Sequence, residues 1–436
     1  MSLRRRPPAL LRGEGGRAVS ENGVSGPFFL IFAETKVYYA ECLIRGRGFS
    51  PQHRRSPKIE TQQSVFIVEP RDYRLTEPLR LDCGRELADV NIRYETAGTL
   101  NADASNAVLI THALSGDAHV CGRHAPEDPK PGWWDNMIGP GKYIDTDKYF
   151  VICSNVIGGC SGTTGPRSVD PATGKPYNLN FPVITVRDMV RAQKRLVDHL
   201  GIKKLLAVVG GSMGGMQVLQ WAVSYPDSLA SFIAIATACQ FSPQNIAFDW
   251  VAREAIKADP DWNNGDYNGD RTPDRGLAAA RMLAHITYLS EESLGRKFGR
   301  NLQDKQDYDY DFDRDFAVES YLQHQGKRFV ERFDADSYFY ITRATDYFDL
   351  TAETGGNLVT AVKDVTAAGM IVSFSSDWLF PTAQSKRLTD ALLRNRREVT
   401  FCEIKSGYGH DAFLLEVETL GRMVRDFLHH QAEVEK

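Results

Sequence analysis

Long hydrophobic runs are missing from this chain of 436 residues. The longest, "SFIAIATAC" at Ser231–Cys239, is far short of the roughly 20 apolar residues that span a bilayer. A dominant charge is missing too: 52 Lys and Arg face 56 Asp and Glu, a net charge of -4. That balance gives no field that would favour nucleic acid or a membrane surface as partner. Cysteine is sparse. Seven are scattered as Cys42, Cys83, Cys121, Cys153, Cys160, Cys239 and Cys402, with no CxxC pair. An odd, dispersed set excludes a disulfide framework and fits reduced thiols in a cytoplasmic protein. What remains is ordinary globular composition, 42% hydrophobic and 25% charged.

The first 59 residues differ from the rest. Met1–Glu60 carries 11 Lys and Arg against 5 Asp and Glu, so the remainder of the chain bears the negative charge. "LRRRPPALLRGEGG" is rich in Pro, Gly and Arg, and no small-residue cleavage site follows a clean apolar core. Residues 1–59 are expected to be a poorly ordered basic extension, or a start assigned too early, with no catalytic role.

From residue 60 onward the pattern becomes regular. "SVFIVEP" and "LADVNIRYETAG" alternate like half-buried antiparallel strands. "NAVLITHA", "YFVICSN", "LLAVVGG", "SFIAIAT" and "GMIVSFSSD" are near-continuous apolar runs, as strands buried on both faces of a parallel sheet read. Helical periodicity at Thr185–Gly201 and Gly215–Pro226 lies between them. This alternation predicts an α/β fold with an open, mostly parallel sheet, whose sites lie at the carboxyl ends of the strands. About 130 residues then separate "SFIAIAT" from "GMIVSFSSD", far more than a crossover needs. The expected organisation is a core in two parts, 60–238 and 370–436, with an inserted helical lid at 239–369.

Gly210-Gly211-Ser212-Met213-Gly214 is G-x-S-x-G, after a buried-strand pattern and before a helix pattern. That setting makes Ser212 the candidate nucleophile. The turn is sharp, and glycines remove Cβ atoms that would collide with neighbouring elements. A serine hydroxyl needs a base, and the base an orienting carboxylate. Asp377 follows one predicted strand and His410 follows "VTFCEI" and a glycine-rich turn, in the chain order of an α/β-hydrolase. The backbone N–H groups of Met213 and Leu114 are the candidate oxyanion hole. His112, His119, Cys121 and His124 invite a zinc reading. Their gaps of six, one and two residues match no usual site, so no metal is expected. "GPGK" at Gly139–Lys142 lacks the phosphate-loop spacing.

"GWWDNMIGPGKYIDTDKYFVICSNVIGGCSGTTGP", "GGSMGGMQ", "ARMLAHITYLS", "SDWLFP" and "YGHDAFLLE" together resemble the homoserine O-acetyltransferase (MetX) family. The resemblance runs from about Glu60 to the end and implies an α/β-hydrolase fold with a helical lid. It implies transfer of an acetyl group from acetyl-CoA to the side-chain hydroxyl of L-homoserine, a step of methionine biosynthesis. Ser212, Asp377 and His410 would form the triad. Arg281 would bind the amino acid's carboxylate, and Asp411 its ammonium. No cofactor beyond the co-substrate is implied, and a homodimer through the lid helices is.

Related enzymes take succinyl-CoA, and some acylate serine. A succinyl carboxylate wants a cation when buried. The position two after Asp377 is Leu379, which favours acetyl, whereas Arg167 stands as an uncommitted cation. An esterase or thioesterase on the same triad, and a catalytically inactive binding protein, are the competing readings.

Overall fold

The computed structural model describes residues 66–267 and 271–435. The basic extension expected at 1–59 lies outside the described residues. Eight strands form the central sheet: β1 (Arg71–Arg74), β2 (Asn91–Ala97), β3 (Ala107–Thr111), β4 (Phe150–Ser154), β5 (Leu205–Gly211), β6 (Leu229–Ile235), β7 (Ala368–Phe374) and β8 (Val399–Ile404). Their spatial order is β1-β2-β4-β3-β5-β6-β7-β8. β1–β2 and β2–β4 pair antiparallel, and every later pair is parallel. This is the α/β-hydrolase arrangement.

The apolar runs become strands because both faces of the sheet are covered. On one face, α1 (Val186–His199), α2 (Met213–Ser224) and α8 (Thr382–Arg394) supply Met189, Leu196, Trp221 and Leu388 to one core. On the other, α9 (Val417–Val434) supplies Leu420, Val424 and Leu428. Thr185 starts α1 with a capping box closed by Asp188, a device worth about 1 kcal/mol.

One expected strand is corrected. Of "SVFIVEP", the described part Phe66–Pro70 does not enter the sheet. Ile67 bridges Arg123, Val68 N–H donates to Arg123 O at 2.9 Å, and the sheet strand begins only after Pro70. A proline lacks the N–H that a ladder needs. Phe66 and Val68 join the core beneath the sheet from outside it, and Ile67 stays exposed.

Between β6 and β7 lie α3 (Pro243–Lys257), α4 (Asp274–Tyr288), α5 (Glu291–Phe298), α6 (Ala317–Val330) and α7 (Ala335–Asp346). The continuous helical pattern through Tyr288 to Gly299 breaks into α4 and α5 at Leu289–Ser290. Ser290 caps α5, accepting from Ser293 N–H at 2.9 Å, while its hydroxyl donates to Gly407 O at 2.5 Å. Trp378 donates its indole N–H to Leu289 O at 3.0 Å. Gly409 sits so close that a Cβ there would lie 2.5 Å from Ser290 N. Tertiary contacts at one joint therefore override local helix propensity. The acidic-aromatic stretch 304–316 is largely exposed.

Candidate active site

The serine lies where the steric reasoning requires. β5 ends and α2 begins around Ser212, which takes φ 60° and ψ -125°, a conformation costly for a residue with a side chain. A Cβ on Gly214 would stand 2.1 Å from Thr111 O, and one on Gly210 would stand 2.2 Å from Thr111 Oγ1. Glycine at both positions lets α2 start against β3. The Thr111 hydroxyl donates to Gly214 O at 2.9 Å, and Ser212 N–H donates to Ile235 O at 3.0 Å, so the turn is tied to both neighbouring strands. Behind it runs a buried chain of side-chain amides. Trp221 donates to Gln193 (2.8 Å), Gln193 to Gln217 (2.7 Å), and Gln217 to His112 O (3.1 Å).

β7 delivers Asp377 and β8 delivers His410. Ser212 Oγ–H donates to His410 Nε2 at 2.8 Å, and His410 Nδ1–H donates to Asp377 Oδ2 at 2.8 Å. The other Asp377 oxygen accepts from Leu379 N–H (3.0 Å) and Phe380 N–H (2.9 Å), which fixes the carboxylate. Phe380, Phe413 and Tyr288 surround the imidazole, with ring centroids 5.2, 5.6 and 5.9 Å away. Burial works against a charged His410. The Asp377 charge and hydrogen bond, with help from Asp411, outweigh it and raise the pKa above the ordinary value. Such a base holds a proton well once it has taken one.

Ser212, Met213 and Leu114 border one cavity, together with Phe241, Phe248 and Leu379. The cavity is small, about 60 Å3. It suits a small acyl group, and no cationic side chain lines it. Arg167 is not a free cation. It donates to Asn178 Oδ1 (2.8 Å), lies 3.9 Å from Asp334 and stacks 4.5 Å over Tyr267.

Arg281, on α4, approaches Ser115 Oγ with Nη1 at 3.4 Å, and its guanidinium lies 4.6 Å over Phe329 and 5.6 Å over Tyr288. Asp411 follows His410 directly. Burial raises its pKa, and the His410 and Arg281 charges oppose that shift. Thus a cation and an acid stand near the base on the lid side.

The histidine cluster comes apart. His112 is fully buried and held neutral by burial; its Nδ1–H donates to Ala113 O (2.8 Å), and Nε2 accepts from Val156 N–H (3.1 Å). It holds the loop that carries Leu114. His119 and His124 instead meet Glu95 of β2, at 2.9 and 2.7 Å, one imidazole on each carboxylate oxygen. These three residues bring potential ligand atoms within 4.8 Å of one another, and the two hydrogen bonds account for the grouping. Cys121 is buried, its thiol pushed up to about 12 by that burial. Among the described residues no two cysteines form a disulfide.

Sequence reasoning missed Asp249. It lines the cavity from α3, and burial, then the nearby Asp346 charge, push it up to about 8. In sequence it reads as a polar residue on an amphipathic helix, with no signal that it faces inward.

A family model described as the alpha/beta hydrolase fold matches residues 106–417. The homoserine O-acetyltransferase of Methanosalsum zhilinae is 58% identical over 367 residues, 84% of this chain and 74% of that protein. The chain belongs to the homoserine O-acetyltransferase family. A solved homoserine O-acetyltransferase from Bacillus anthracis superposes with a TM-score of 0.77 at 32% identity, covering 83% of this chain and 98% of that one. Esterase E22 gives the same TM-score and identity, covering 83% and 100%. Backbone likeness alone therefore does not separate transferases from hydrolases on this fold. Among the described residues no helix is long and apolar enough to cross a membrane.

Proposed function

We propose that the protein transfers an acetyl group from acetyl-CoA to the side-chain hydroxyl of L-homoserine through an acyl-Ser212 intermediate. The observation that carries this is the relay Asp377–His410–Ser212, with both links at 2.8 Å, beside Arg281 and Asp411. His410 takes the Ser212 proton as Oγ attacks the thioester carbonyl. The N–H groups of Met213 and Leu114 receive the oxyanion. The intermediate collapses, CoA leaves as the thiolate, and the proton passes from His410 to the sulfur. The homoserine hydroxyl then gives its proton to His410 and attacks the acyl-serine. Collapse returns that proton to Ser212.

Acetyl over succinyl is supported by a small cavity without a cationic side chain, with Leu379 in its wall. Arg281 suits the acceptor's carboxylate and Asp411 its ammonium. No cofactor or metal enters these steps. The expected form is a cytoplasmic homodimer through the lid helices. The exposed Trp250 and Val251 of α3 and Ile286 of α4 support such a surface.

Esterase E22's equal likeness favours one second reading, hydrolysis on the same triad. The deciding assay offers homoserine and serine against acetyl-CoA and succinyl-CoA, beside Ser212→Ala. O-acetylhomoserine should dominate, with parallel double-reciprocal lines. Release of CoA without an O-acylated amino acid identifies the hydrolase. Full activity in Ser212→Ala removes the acyl-serine route altogether.

A further inference from the structure

Arg281 is not the lone cation at the lid side of the site. Arg332, just past the C-terminus of α6, points into the same corner. Its Nη1 donates to Ser115 O at 2.9 Å, while Arg281 Nη1 approaches Ser115 Oγ at 3.4 Å. Both guanidiniums pack on Phe329, at 5.3 Å for Arg332 and 4.6 Å for Arg281. Two arginines from different helices thus share one backbone residue and one aromatic ring.

Neither forms an ion pair with a carboxylate among the described residues, although arginines elsewhere do, as Arg93 with Asp72 and Arg253 with Asp346. Arg332 keeps part of its surface open to solvent; partial desolvation, then the Arg281 charge, hold it below the ordinary arginine value, and the Asp117 charge opposes that shift. Neighbouring like charges without a counter-ion are a cost that a bound anion would reverse.

We propose that Arg332 is the second arm of a two-arginine clamp on the acceptor's α-carboxylate. The inference rests on the homoserine reading given above. Three features favour a carboxylate at this place. Ser115 directly follows Leu114, which borders the cavity beside Ser212, so both guanidiniums meet the loop that leads to that cavity. The phosphates of CoA lie a whole pantetheine arm from the thioester, too far to be this anion during acyl transfer. The opposite charge, Asp411, lies near enough to Arg281 to feel it. An amino acid carries its carboxylate and ammonium on one carbon, and the corner offers matching charges for both. Planar guanidiniums hold a carboxylate by paired N–H donors, which fixes orientation as well as affinity. The hydroxyl, two methylenes beyond the α-carbon, is then aimed at His410. In this role Arg332 is a positioning residue.

The test measures Arg332→Ala, Arg332→Gln and Arg332→Lys against two acceptors, L-homoserine and 3-amino-1-propanol, which is homoserine without its carboxylate. For homoserine, kcat/KM should fall about 10- to 100-fold in the alanine and glutamine variants, mostly through KM, and Lys should restore part of it. For 3-amino-1-propanol, poor in every variant, the change should stay under about threefold, since no carboxylate is lost. Should the alanine variant fail to fold by circular dichroism, the glutamine and lysine variants carry the comparison. Equal losses for both acceptors, an unchanged homoserine KM, or a rise confined to the acetyl-CoA KM would each overturn the clamp. A wild-type enzyme that acylates neither homoserine nor serine would instead overturn the functional reading on which it rests.

Discussion

The two sides of Ser212 are built on opposite rules. On the sheet side, the polar groups that hold Asp377 and the turn at Ser212 already have their partners. Asp377 makes three hydrogen bonds, and the Trp221–Gln193–Gln217 chain runs unbroken to His112 O. On the lid side, the cations Arg281 and Arg332 stand without an ion-paired carboxylate among the described residues. Groups that must be in place before any substrate arrives are satisfied by the protein itself. Groups that read the substrate are left for the substrate to satisfy. Preorganisation belongs to the first set, and recognition to the second.

Breaking the sheet side should cost the most. Ser212→Ala is expected to lower turnover by roughly 10^4- to 10^6-fold, for transfer and for any hydrolysis alike, read as CoA thiol release. Asp377→Asn keeps the shape but mis-sets the imidazole tautomer, and a loss of about 10^4-fold in kcat is expected. Substitutions on the lid side, such as those at Arg332, should fall well below both and depend on the acceptor. If a lid-side variant matched Ser212→Ala with every acceptor, the division would fail.

Titration sharpens the same contrast. His410 must be neutral to take the Ser212 proton, and its pKa lies above the ordinary value of 6.5. The acid limb of kcat/KM should therefore bend above pH 6.5, falling about tenfold per unit below the bend. Removing the Asp377 charge in Asp377→Asn should move that bend to lower pH in the residual activity.

The smallest effect concerns Asp249, whose carboxyl is raised from 3.8 to about 8. A raised carboxyl pKa makes the folded state bind a proton that the unfolded state has lost. Stability is thus shed as pH rises from about 4 to 8. Asp249→Asn should flatten that decline and stabilise the protein at pH 8 by roughly 1–3 kcal/mol, measured by denaturant melts at pH 5 and pH 8. An unchanged slope would show that Asp249 ionises freely and is no part of a dry cavity.

The sheet side was also the legible one. Ser212 and Asp377 each follow a buried strand, His410 follows the half-exposed edge strand β8, and G-x-S-x-G carries its own steric reason. The turn, its glycines and its strand are contiguous in sequence. Recognition of the lid rested on its length and on family motifs, because its site residues come from separate helices. Asp249 looks like a surface residue of an amphipathic helix, and only packing turns it toward the cavity, while Arg332 lies past the end of α6 with no motif to single it out. "SVFIVEP" misled because its alternation was real but Pro70 removed the ladder donor. The split at Leu289–Ser290 was hidden because its cause lies about 120 residues away at Gly407 and Gly409.

That joint has a mechanical consequence. Trp378 adjoins the triad acid, Gly409 adjoins the base, and both loops grip the corner where α4 turns into α5. Swinging this corner outward would drag the proton relay apart. The corner of the lid is thus tied to the two loops that carry Asp377 and His410, and any outward movement of it has to break those ties.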